Sequence, residues 1–314
     1  QGNVEAGAQL LKDRISSLGE RIVGEDYIAL ASYFIEANRF SDAKQAFISA
    51  IELDDIYKRF AAQQLANLYI SQSQYVDALA LLSEEIKDNP TSKVHARLIE
   101  CLIWEGMLEE ATEEIAIRNE LYESDFYSQI LQAKLHQAKS KQYGNGGDKE
   151  LANIEHANAM RSLESSKKLL PTDSMPYIIE ATGFIDKYQW DEDRLSLDRA
   201  IQSLDKADQL ASSITTQTSL ARVKVLNLLG NQNAADSTLR QLVLQFPNNV
   251  MARNMLVESL TSKGQVDDVI LLIEEGIMLS PNSPFWYQRL GAVHQFNGST
   301  KEAVTALLRA YNLS

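Results

Sequence analysis

At 314 residues, with 45% hydrophobic and 23% charged side chains, the chain can bury a long core and lacks the composition of a disordered segment. A net charge of −13 repels phosphate backbones, so nucleic acid is not an expected partner. The single cysteine, Cys101, excludes an internal disulfide and a cysteine-based zinc site, and no run of about 18 apolar residues reads as a membrane span.

The acidity is uneven. Asp and Glu outnumber Lys and Arg by 21 to 11 over 1–120, whereas over 216–314 the balance is 7 to 8. No basic segment leads into an apolar one at the start, so no signal peptide is expected within this piece. A first residue Gln1 rather than Met reads as a processed form or an excised piece. Bacterial cytoplasm and periplasm both stay open as compartments.

Residues 3–22 read as one amphipathic helix with Leu10, Leu11, Ile15, Leu18 and Ile22 on one side, a cap or partial repeat occupying 1–23. From Gly24 a helical pattern sets Tyr27, Leu30, Ala31 and Phe34 on one face, Asn38 marks a turn, and Phe40, Ala43, Phe47 and Ala50 line a second helix. Two similar units follow. One carries Leu65, Ala66, Tyr69 and then Ala78 and Leu82, closed by Pro90; the other carries Leu98, Leu102, a turn at Gly106, and then Ala111 and Ile115. Cys101 lies in that last pattern and reads as a small core residue.

The spacing Tyr27-x2-Leu30-Ala31-x2-Phe34, then Ala43-x3-Phe47, resembles the tetratricopeptide repeat. Its physics is plain: a small residue in each helix lets the paired backbones approach, and large ones fill the space around it. Three such repeats are expected over 24–124.

The middle departs from the pattern. A helix over 125–143 is expected to break at Gly144-Asn145-Gly146-Gly147. A second runs from Lys149 to Leu170 and is stopped by Pro171. An overlong hairpin then pairs 174–188 with 194–210 around a turn at Trp190-Asp191-Glu192-Asp193. Residues 125–211 thus read as two irregular repeats with long helices.

The last stretch, 216–314, repeats without slipping. Gly230, Gly264 and Gly298 share one interval, as do Pro247 and Pro281. It holds three regular repeats, the last reading Tyr287-x2-Leu290-Gly291-x2-His294, then Ala303-x3-Leu307. The whole is expected to be an all-α, right-handed solenoid of about eight such hairpins. Leu307, Leu308 and Tyr311 are expected to leave an open C-terminal edge, a candidate for self-association.

No catalytic or cofactor motif stands out. His95, His136, His156 and His294 are scattered, and no metalloprotease, nucleophile-elbow or phosphate-loop motif occurs. Glu109, Glu110, Glu113 and Glu114 open a helix, where acidic residues suit the dipole; they and Asp191-Glu192-Asp193 lack the spacing of a calcium loop. Neither an enzyme nor a metal or cofactor site is expected.

The resemblance implies that the first helix of each hairpin lines a concave groove holding a protein or peptide segment. The groove-facing positions are Ile28, Ile35, Phe60, Asn67, Ile70, Ile103 and Trp104, and further on Leu220, Lys224, Asn227, Met251, Asn254, Phe285, Gln288 and Phe296. Apolar groups there would anchor a partner and amides pair with its backbone; the same residues are also candidates for packing between repeats. A chaperone-type carboxylate clamp is argued against, because only Asn67, Lys224 and Asn227 offer polar grip and they come from distant repeats. The alternatives are the repeat arm of a glycosyl- or sulfotransferase, and an envelope component resembling exopolysaccharide-export or pilus-assembly repeats.

Overall fold

The computed structural model describes residues 2–19, 22–37, 39–53, 56–211 and 215–313, with side chains from residue 6 onward. The expected turn at Asn38 lies outside them. The described residues form seventeen α-helices and no strand, arranged as tandem hairpins. Two compact units divide the chain, Gln1–Leu169 and Leu170–Ser314, and the division falls inside the irregular stretch 125–211.

The first unit holds α1 (Gly2–Leu18) and four hairpins: α2 (Gly24–Glu36) with α3 (Phe40–Glu52), α4 (Lys58–Ser71) with α5 (Tyr75–Asp88), α6 (Ser92–Glu105) with α7 (Leu108–Leu121), and α8 (Phe126–Asn145) with α9 (Lys149–Leu169). The expected small residues lie in the core: Ala31, Ala43, Ala78 and Ala111 are fully buried, and so are the large Phe34, Phe47 and Leu82. Part-buried polar links tie the partners of a hairpin. Gln63 reaches Glu85, His95 reaches Glu114, and His136 Nδ1 lies 2.5 Å from Glu155 Oε2. Burial, with the nearby Glu100 carboxylate adding to it, pushes the Cys101 thiol up to about 11.

The second unit holds α10 (Met175–Asp191) with α11 (Arg194–Leu210), α12 (Thr216–Leu228) with α13 (Gln232–Gln245), α14 (Val250–Ser262) with α15 (Val266–Leu279), and α16 (Pro284–Phe296) with α17 (Thr300–Leu313). The evenly spaced glycines explain its regularity. Gly230, Gly264 and Gly298 follow the first helices at φ of 75°, 70° and 76°, the left-handed region that closes a helix without steric cost. In each case the next N–H reaches back into the helix, as with Gln265 N donating to Leu260 O at 3.0 Å. Successive hairpins interlock through small residues: Gly276 of α15 lies directly beneath Trp286 of α16.

Three boundaries differ from the sequence reading. The first helix ends at Leu18, not residue 22, because Gly19 turns left-handed at φ 54°. Helix α8 runs through Gly144 and Asn145, and the chain reverses only at Gly147, φ 86°. A glycine inside a helix costs about 1 kcal/mol, and packing along α9 overrides it, marked by Ser140 Oγ donating to Ala152 O at 2.8 Å. Trp190 and Asp191 belong to α10, and the turn begins at Glu192. The Trp190 ring is buried with the Lys187 ammonium 4.4 Å from its centroid, so burial and a cation–π contact carry the helix on.

Candidate partner-binding groove

In the second unit the first helices of three successive hairpins, α10, α12 and α14, line a depression of about 480 Å³. Its wall comes from Thr182 and Ile185 on α10, Leu220, Ala221, Lys224, Asn227 and Leu228 on α12, and Met251 and Met255 on α14. Helical periodicity explains the α12 set, since 220, 224, 227 and 228 fall on one side of a 3.6-residue repeat. Ile185 forms the floor, fully buried, while Met251 at the rim is 63% exposed.

Charges on the helices of this unit are paired between elements. Lys224 Nζ stands 3.5 Å from Asp186 Oδ1 on α10. Burial opposes the charge of Arg222, but Asp208 at 2.8 Å and Asp205 at 2.9 Å outweigh that and hold its guanidinium above its ordinary pKa. Between α14 and α16, Arg289 Nη2 meets Glu258 Oε1 at 2.9 Å, and Asn254 Nδ2 donates to the same oxygen at 3.0 Å. The wall of the depression is thus largely apolar, and the charge that it carries, on Lys224, is offset by Asp186.

Of the positions expected to face a partner, Leu220, Lys224, Asn227 and Met251 come together here. Phe285, half-buried and outside the depression, packs one side against the core, edge-on to Trp286 at 4.9 Å with the Arg289 guanidinium 5.3 Å from its centroid. Gln288 and Phe296 are exposed on α16, outside the depression. In the first unit Ile28, Ile70 and Ile103 are half-buried and pack against the core. Asn67 is half-buried, and Ile35 and Phe60 are exposed. Trp104 tilts over Tyr75 of the preceding hairpin, ring centroids 5.2 Å apart, so one of its faces serves packing between repeats. Sequence reasoning missed Thr182, Ile185, Ala221, Leu228 and Met255. Leu228 and Met255 each follow a predicted position by four residues and so shared its helical face; Thr182 and Ile185 lie in the irregular hairpin, where no register pointed to them.

Among the described residues, no group of three or more His, Cys, Asp or Glu is placed to hold a metal ion, and no helix is long and apolar enough to cross a membrane.

No family model and no curated protein matches the sequence. Solved structures do. The chain is similar to MamA from Desulfovibrio magneticus RS-1 at 19% identity, over 58% of this chain and 94% of that one, with a TM-score of 0.40. It is similar to a thermophilic TPR protein of Thermus thermophilus at 16% identity, over 75% and 98%, with a TM-score of 0.46. It is also similar to human IFIT1, a dimer with PPP-AAAA, at 14% identity, over 99% and 78%, with a TM-score of 0.49.

Proposed function

We propose that this chain is a protein-interaction scaffold that holds a peptide or protein segment on the faces of its first helices and performs no bond chemistry. The observation that carries this reading is the apolar depression across α10, α12 and α14. A cleft of about 300–1,000 Å³ with a few polar groups at its edge is the usual form of a binding site. In the second unit the contact residues are Leu220, Lys224, Asn227 and Met251, with Asn254, Phe285, Gln288 and Phe296 extending the surface along α14 and α16. In the first unit, Ile28, Ile35, Phe60, Asn67, Ile70, Ile103 and Trp104 offer a further first-helix surface. The mechanism is positional: apolar partner side chains are taken out of water against Ile185, Leu220 and Met255, each contributing on the order of 1.5–3 kcal/mol when fully buried.

A tagged copy of this chain and its Met251→Glu variant test this by comparing partner recovery. Met251 is mostly exposed, so the charge perturbs the groove and not the core. Recovery is expected to fall with Met251→Glu, and unchanged recovery rejects the reading.

A second reading, self-association through α17, has its own observation. At positions one repeat apart, Leu239 and Ile273 are 1% and 0% exposed, while Leu307 is 42% exposed beside exposed Leu308 and Tyr311. Light scattering across concentration, with Tyr311→Lys as the variant, tests it. A constant monomer mass rejects it.

A further inference from the structure

We propose that the occupant of the α10–α12–α14 depression is an amphipathic α-helix presenting an uncharged apolar stripe. This rests on the groove reading above and adds the partner's conformation and charge. The polar side chains lining the depression are Thr182, Lys224 and Asn227. Thr182 Oγ1 already donates to Ile178 O of its own helix at 2.9 Å, and Lys224 is engaged with Asp186. Asn227 and the remaining N–H groups of the Lys224 ammonium are left as the side-chain groups able to pair with a partner's backbone.

That shortage decides the conformation. Packed helix axes lie about 8–10 Å apart, so a segment crossing three of them spans about 16–20 Å. In extended form this takes about five or six residues and brings about ten backbone N–H and C=O groups against an apolar wall. Each such group buried without a partner costs about 1–3 kcal/mol, and one asparagine and one ammonium cannot meet that demand. A helix of about 11–13 residues covers the same span with its backbone bonds closed internally. Its contacts are side chains at i, i+3 or i+4, and i+7, which suit Leu220, Leu228, Met251 and Met255. The flexible thioethers of the two methionines adapt to an irregular apolar stripe.

Charge complementarity fixes the rest. Lys224, the charged side chain in the wall of the depression, is offset by Asp186, so that wall presents no unbalanced charge for a charged stripe to meet. Binding is therefore driven by apolar burial and only weakly sensitive to salt.

The test uses the full chain and three fluorescent peptides of about fourteen residues and equal composition, built from Ala, Leu, Gln and one Pro. The first carries its leucines on one helical face with the Pro at its first residue; the second scatters the leucines around the helix; the third keeps the striped order with the Pro at its centre. Anisotropy titrations at about 50 and about 500 mM salt give Kd for wild type and Met251→Glu. The striped peptide is expected to bind about tenfold or more tighter than the other two, with less than about a twofold change between salts. Met251→Glu is expected to weaken it about tenfold or more. Equal affinity of the centrally interrupted peptide overturns the helix and leaves the groove standing. Striped-peptide binding indifferent to Met251→Glu places the helix elsewhere and overturns both. Absence of binding by any peptide at about 1 mM overturns the inference, whatever partner recovery shows.

Discussion

The interlocking of hairpins makes a quantitative prediction at Gly276. A Cβ added there would lie 2.6 Å from Trp286 Cε2 and 2.7 Å from Cδ2. Carbon atoms in ordinary contact sit about 3.5–4.0 Å apart, so the indole must retreat by about 1 Å. It has little freedom to do so, being 2% exposed and flanked edge-on by Phe285. A clash this deep against a ring with so little freedom belongs in the upper part of the overpacking range, about 2–3 kcal/mol, and replacing a mid-helix glycine by alanine returns about 1 kcal/mol. Gly276→Ala is therefore expected to destabilise by about 1–2 kcal/mol, lowering Tm by about 3–7 °C for a unit of this size. Trp286→Leu should remove the clash, so that Gly276→Ala becomes neutral or stabilising in that background. Urea titrations of the four chains give the coupling directly. A Gly276→Ala chain as stable as wild type, or a coupling below about 0.5 kcal/mol, would refute the described packing.

Three further outcomes follow from other sites. Gly264 has a left-handed φ of 70°, and a Cβ added there would meet nothing within 4 Å, so Gly264→Ala should cost about 1–2 kcal/mol through backbone strain alone, and Gly264→Asn less; equal urea midpoints for all three would contradict this. The Cys101 thiol, fully buried and raised to about 11, should react with a thiol reagent at about pH 8 only after denaturation; rapid labelling of the native chain would contradict its burial. Burial alone would raise the Asp125 carboxyl, but the Ser128 N–H at 2.7 Å, its hydroxyl and the Arg118 guanidinium reverse that and hold it below its ordinary value. Its stabilisation is then present above the ordinary carboxylate range and lost as pH falls through the lowered pKa, so the gap between wild type and Asp125→Asn in thermal melts should close below about pH 4; a gap that widens there would contradict the sign.

Much of the fold was legible because its signals are local. A left-handed helix end nearly requires glycine, so Gly230, Gly264 and Gly298 announced three turns at one interval. The alanines at 43, 78 and 111 marked positions that the fold buries completely. Local signals failed where packing over distance outweighed them. Gly144-Asn145 looked like a break, yet the contact with α9 carries α8 through it. The groove was half legible for the same reason. Leu220, Lys224, Asn227 and Met251 lie in the regular part, where one helical face can be counted off. The floor residue Ile185 belongs to a helix of 17 residues beside one of 13, and no fixed interval reaches across that step. Ile28, Ile70 and Ile103 show the converse: a position between core residues on a first helix also packs against the adjoining repeat, and its spacing is the same either way.

The compensated rim allows a sharper trial of how this groove chooses its partner. Asp186 is largely buried and faces Lys224, which is about half exposed, at 3.5 Å across the gap from α10 to α12. Replacing the carboxylate by an amide in Asp186→Asn keeps the shape and leaves the Lys224 ammonium uncompensated beside the depression. A partly exposed charge pair of this kind is worth about 0.2–1 kcal/mol, so a striped peptide bearing one Glu near its centre should gain about two- to fivefold in affinity over wild type at low salt. The gain should vanish at about 500 mM salt, where exposed charges are screened within a few ångström. The uncharged striped peptide should bind both proteins alike, because its contacts are with Leu220, Leu228 and the methionines. If the Glu-bearing peptide gains nothing at low salt, Lys224 does not face the occupant, and the neutrality of the rim is not what selects an uncharged stripe.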